Sequence, residues 1–115
     1  MLLRLGPDSA EPLFIQVAAA VRAQIANGEA RPGDRLPAAR DVASGLGVNV
    51  HTVLHAYQML RDEGLVDLRR GRGAVVTDGA HAVAQLEQDI AELGRRAAAL
   101  GMSPATAAGL LRASM

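Results

Sequence analysis

The chain has 115 residues, enough for one domain or one small domain with an appended element. Half of it is apolar, yet Phe14 and Tyr57 are its only aromatics, so an aliphatic core of close-packed helices is expected; the absence of cysteine excludes a disulfide framework and a thiolate metal site. Net charge is zero, which at first argues against a nucleic-acid partner, but the distribution of charge matters more than its sum.

Met1 to Leu5 is too short for the apolar region of a signal peptide, and no apolar run approaches the ~20 residues of a membrane-spanning helix. A soluble, cytoplasmic protein is expected. Residues 1–11 read as an N-terminal arm in which Leu2 to Leu5 forms a short strand before a Gly6-Pro7-Asp8-Ser9 turn. Pro12 opens the first predicted helix, a residue pre-shaped for a first turn. Leu13, Val17, Ala20, Val21 and Ile25 then recur at helical spacing until Asn27-Gly28 stops it. Arg31-Pro32-Gly33-Asp34 is a tight loop, and a short helix follows over 38–44, burying Val42 and Ala43.

Residues 45–48 form a turn, and Asn49 is placed to cap a helix extending to Glu63. At about 100° per residue, Val53, Ala56, Tyr57 and Leu60 share one face, while His51, His55, Gln58 and Asp62 point the opposite way. Gly64 ends this helix. Two short β runs, Leu65 to Leu68 and Ala74 to Thr77, are joined by Arg69-Arg70-Gly71-Arg72-Gly73, a glycine-bearing hairpin. Helix, short turn, helix and two-stranded wing make residues 12–78 a winged helix-turn-helix, whose exposed second helix a duplex major groove can receive. All twelve cations of the chain are arginine, and from Arg31 to Thr77 seven face five acids. Arginine is the residue best suited to bidentate phosphate and guanine contacts.

After Asp78-Gly79 the pattern changes. Val83, Leu86, Ile90, Leu93, Ala97 and Leu100 alternate three and four apart, a seam closed by Gly101. Ser103-Pro104 starts a final helix carrying Ala107, Leu110 and Leu111. Residues 79–115 are therefore expected to form a helical dimerisation element, with Gly94 and Ala98 allowing two backbones to approach closely; the alternative is that the seam packs back on the first helix.

The segments Pro12-Leu13-Phe14-Ile15-Gln16, Leu36-Pro37-Ala38-Ala39-Arg40-Asp41-Val42-Ala43, Val48-Asn49-Val50-His51-Thr52-Val53, Ala56-Tyr57-Gln58, Glu63-Gly64-Leu65-Val66 and Arg70-Gly71-Arg72-Gly73 stand in unbroken order. The chain thereby resembles the GntR family of winged-helix bacterial transcription regulators, and its short two-helix tail is similar to that of the YtrA-type subfamily. The resemblance implies a mainly α fold with a small β wing, an N-terminal winged helix-turn-helix and a C-terminal two-helix dimerisation tail. It further implies a homodimeric regulator of double-stranded DNA, a repressor of its own or a transporter operon. Matching positions carry over DNA contact at Arg40, at Asn49, His51, Thr52 and His55 in the leading turns of the second helix, and at Gly71, Arg72 and Gly73 in the wing. Val50 and Leu54 stand where many members place arginine, so a guanine-reading pattern does not transfer; Val50 and Thr52 can instead touch a thymine methyl.

Each feature also has a plainer reading. His51 and His55 lie four apart, as helical zinc ligands do, but have no adjacent Glu and no third ligand in view. Arg69, Arg70 and Arg72 can be a charged loop instead of a phosphate contact, and Arg40 a salt-bridge partner. Tyr57 is expected in the core, its hydroxyl near the surface. Two other functions stay open: a winged helix that binds protein, and an effector-responsive repressor with a pocket at the dimer interface. No cofactor is expected, and the lack of Cys, Lys, paired-carboxylate or triad spacing argues against an enzyme.

Overall fold

The computed structural model describes residues 11–115, so the expected strand and turn within residues 1–10 lie outside the described residues. The chain divides into two compact units, the second being Gln85–Met115.

In the first unit, helix α1 (Leu13–Ala26) starts one residue later than its proline suggests. Pro12 is the N-cap: its extended ψ of 146° turns its carbonyl toward the helix, where it accepts from the Ile15 and Gln16 amides at 3.1 and 3.2 Å. Val17, Ala18, Val21 and Ile25 are fully buried, but Leu13, expected on the same stripe, is 44% exposed in the open first turn, and Ala20 is only half-buried. Asn27 ends the helix, and its side-chain oxygen accepts from the Glu29 amide at 2.9 Å.

Helix α2 (Ala39–Leu46) runs past the expected stop at Ser44. The chain reverses at Gly47, not Gly45: Gly47 has φ +69°, a left-handed conformation strained for any residue with a Cβ. Leu46 thereby stays helical and packs against the core. Helix α3 (Val50–Asp62) begins as predicted, the Asn49 side chain accepting from the His51 amide at 2.8 Å. Its buried face is Val53, Ala56, Tyr57 and Leu60, and it packs on both α1 and α2.

Strands β1 (Val66–Arg69) and β2 (Gly73–Val76) pair antiparallel, with Val66 opposite Val76 and Arg69 opposite Gly73. Leu65, expected in the first strand, uses its amide to close α3 instead, donating to the Leu60 carbonyl at 3.0 Å. The hairpin has a further partner that periodicity does not reveal. Arg35 forms an isolated bridge with Val75, and the Leu36 amide donates to the Ala74 carbonyl at 2.8 Å. The loop before α2 thus ties down the wing along one edge.

Helix α4 (Ala80–Ala99) starts within this first unit. Ala80 and Ala84 are buried in its core, and Val83 packs against them, so Val83 belongs to this core and not to an exposed seam. That anchoring carries the compact unit beyond Asp78-Gly79, where the change of sequence pattern had suggested a boundary. One ion pair binds α1 to the end of α3: Arg22 Nε donates to Glu63 Oε1 at 2.6 Å, and its Nη2 reaches the other carboxylate oxygen.

In the second unit, α4 continues to Ala99, and the chain turns through Gly101 into α5 (Pro104–Ser114). Ser103 caps α5, its hydroxyl oxygen accepting from the Thr106 amide at 3.1 Å. Ile90, Leu93 and Ala97 of α4 face Ala107 and Leu111 of α5 across an apolar cleft of about 350 Å³. Leu86, Ile90, Leu93 and Leu100 are exposed, as are Leu110 and Leu111. No helix among the described residues is long and apolar enough to cross a membrane.

Candidate nucleic-acid interface

Burial of one face of α3 decides which of its side chains can reach another molecule. His51 and His55 are exposed at its outer crest, with Gln58 beside them. Thr52 is half-buried, and Val50 is half-buried against the core. The thymine-methyl role considered for Val50 therefore competes with packing. Leu54, 41% exposed, stands on the flank toward the wing.

His55 does not project freely. Its ring stacks on Phe14 of α1, with centroids 3.9 Å apart and planes inclined by 13°. The stack fixes the plane of the imidazole while leaving its edge to solvent, reducing the rotamer freedom lost on contact. Sequence reading placed both residues on helices but carried no signal that they meet. A zinc role for His51 and His55 gains no third ligand: no group of three or more His, Asp or Glu able to hold a metal ion occurs among the described residues.

Between α3 and the wing lies an open cleft of about 500 Å³, its walls including Leu54 and Gln58 on one side and Arg69, Arg70 and Arg72 on the other. Gly71, at the hairpin tip, has φ +81°, and the Arg72 amide donates to the Arg69 carbonyl at 3.0 Å. Arg40 is exposed in the first turn of α2, outside this cleft.

Ion pairs divide the arginines into two groups. Arg22 is neutralised by Glu63, Arg61 by Asp62, Arg69 by Asp67 and Arg95 by Glu92. Arg35, Arg40, Arg70 and Arg72 have no carboxylate partner among the described residues. Full charges are thus left standing around the cleft and at α2, where a polyanion would meet them.

Tyr57 orients this face from below. Its hydroxyl donates to the Pro37 carbonyl at 2.6 Å and so is held by the loop leading to α2, not left at the surface. Burial pushes its phenol up from 10.0 to about 12. Because the folded form holds the proton more tightly, this contribution to stability is intact below pH 10.0 and lost as pH rises toward about 12. Tyr57→Phe is expected to abolish that alkaline dependence, and at neutral pH to cost about 1–3 kcal/mol by leaving the Pro37 carbonyl unpaired. Denaturant titrations at about pH 8 and about pH 11 check both effects.

Comparison with known proteins agrees with this geometry. Residues 14–76 match the model of the gntR family of bacterial regulatory proteins. The chain is 32% identical over 79 residues to the HTH-type transcriptional repressor YtrA of Bacillus subtilis, a match covering 69% of this chain and 61% of that protein. It is 30% identical over 83 residues to the HTH-type transcriptional regulator YhcF of Bacillus subtilis, covering 72% and 69% respectively. Among solved structures it resembles YtrA from Sulfolobus acidocaldarius, a GntR-family transcription factor, with a TM-score of 0.63, 32% identity and coverage of 97% of this chain and 95% of that one.

Proposed function

The chain belongs to the gntR family of bacterial regulatory proteins, and from that premise we propose that it is a homodimeric repressor that reads a palindromic operator in the cytoplasm. The observation that carries this reading is the cleft between α3 and the wing, with unpaired arginines beside an exposed helix crest. In the proposed complex, α3 enters a major groove with His51, Thr52 and His55 leading, and the wing arginines hold the flanking backbone. The exposed leucines and isoleucine of α4 pair two copies, setting half-sites about one helical turn, ~34–36 Å, apart. Occupying such a promoter site blocks polymerase; the gene's own promoter or a neighbouring transporter operon is the first place to look.

Footprinting of the DNA upstream of the protein's own gene, across a salt series, tests this. A protected palindrome whose affinity falls steeply with salt is the expected result. No protection even at low salt, with or without cell extract as a source of corepressor, counts against DNA as the partner. Within that assay, Arg72→Ala is expected to weaken binding to all sequences alike and to make the salt slope shallower by ~0.9, one phosphate contact. His51→Ala should instead relax base preference at one position of each half-site by about 1–3 kcal/mol. An unchanged slope for Arg72→Ala would remove the wing from the contact surface.

A second reading draws on the cleft between α4 and α5. Its volume of about 350 Å³ and its apolar lining suit a small effector that modulates DNA release from the dimer. Isothermal titration of candidate metabolites of the regulated operon tests it, with heat but no change in operator affinity speaking against a regulatory role.

A further inference from the structure

Arg35 lies outside both the recognition helix and the wing, on the loop before α2, and no sequence feature marks it for DNA contact. Its backbone bridges to Val75 of β2, and its Nε donates to the Arg72 carbonyl at 3.1 Å, close to the wing tip. The side chain is exposed and lines the cleft shared by Leu54 and Gln58 of α3 and Arg70 of the wing. That single hydrogen bond uses one of the guanidinium's five donors. Among the described residues the group has no other hydrogen-bond partner and no carboxylate.

We propose that Arg35 is a DNA-contacting residue that joins the wing to the operator: Nε fixes the wing tip while the two terminal nitrogens bind a backbone phosphate entering the cleft. The division of labour follows from guanidinium geometry. The planar fork lets one edge donate inward while the other presents a pre-oriented pair of N–H groups to an anion. Lysine offers a comparable charge but not both edges in one plane. Holding the Arg72 carbonyl also restrains the hairpin that carries Arg70 and Arg72, so their charges are presented together.

The inference rests on the DNA-binding reading, and the experiment separates the two. Operator affinity is measured over a salt series for the full-length wild type, Arg35→Ala and Arg35→Lys, together with amide exchange of the 69–73 hairpin in the absence of DNA. Arg35→Ala is expected to lose about tenfold in affinity, to reduce the salt slope by ~0.9, and to speed exchange in the hairpin. Arg35→Lys is expected to recover the salt slope while exchange stays fast, since the charge returns without the Nε donor. If wild type binds DNA but Arg35→Ala keeps its full salt slope, the phosphate contact is wrong, whatever happens to affinity. If hairpin exchange is the same in all three proteins, the wing-tethering part fails. Wild type that binds no DNA sinks the underlying functional reading instead.

Discussion

A chain carrying Leu86→Asp and Ile90→Asp is expected to sediment as a monomer and to lose about 10²–10⁴-fold in operator affinity while its first unit stays folded. Both residues lie in the second unit and are exposed, at 58% and 46%, with Leu93 at 55% further along the same helix. Buried in a partner's matching face, each such side chain stabilises association by ~1.5–3 kcal/mol. Gly94 is notable beside them. A glycine inside a helix costs roughly 1 kcal/mol relative to alanine, yet a Cβ built there meets nothing within 4 Å in its own chain. In the proposed dimer, its missing side chain would let a second helix backbone approach closely. Aspartate at 86 and 90 would bury unpaired carboxylates in the interface, costing about 3–5 kcal/mol each, well beyond the 1.4 kcal/mol of a tenfold change. The loss in DNA affinity follows because a monomer must bind each half-site independently, without the effective concentration that a joined pair supplies. Sedimentation velocity and a half-site binding assay check both parts. A double variant that remains dimeric would move the interface elsewhere.

The second large effect concerns the first unit. Leu60→Ala is expected to cost about 2–5 kcal/mol of stability, from a total that for a small domain is only about 5–15 kcal/mol. Leu60 is completely buried, on the α3 face packed between α1 and α2, so a cavity there cannot fill with solvent or collapse without moving a helix. Its carbonyl also accepts the Leu65 amide at 3.0 Å where α3 gives way to the wing. A shift at this position therefore disturbs the angle between helix and hairpin as well as the core. Leu60→Met, which roughly conserves volume, should cost under about 1.5 kcal/mol. Urea unfolding followed by helical circular dichroism compares the two. Equal, small losses for both variants would mean that the core at α3 is loosely packed.

Much of this architecture was legible in the chain. The apolar spacing of Val53, Ala56, Tyr57 and Leu60 announces α3 and its buried face, Asn49 and Ser103 announce caps, and the arginine–glycine hairpin announces the wing. Where the boundaries moved, a choice between near-equivalent local signals had to be made. Gly45 and Gly47 both offer a stop for α2; the core contact of Leu46 selects the second. Val83 fits the seam by spacing, but its neighbours Ala80 and Ala84 are small enough to sink into the first unit and take it with them.

The helices, the Asn49 and Ser103 caps, the wing and the family could all be read from the chain, because each depends on residues a turn or two apart or on an ordered string of motifs. The stacking of Phe14 on His55, the Tyr57 bond to the Pro37 carbonyl, the reach of Arg35 to the wing tip and the set of arginines without an acid all come from the folded arrangement. The physical reason is range. Periodicity and capping are satisfied by hydrogen bonds and side-chain rows within a single element, whereas these contacts exist only once loop closure brings distant elements together. A neutral total charge says nothing about that pairing, since the same arginines and carboxylates could neutralise one another in many arrangements, and the fold selects one that leaves positive charge beside the recognition helix.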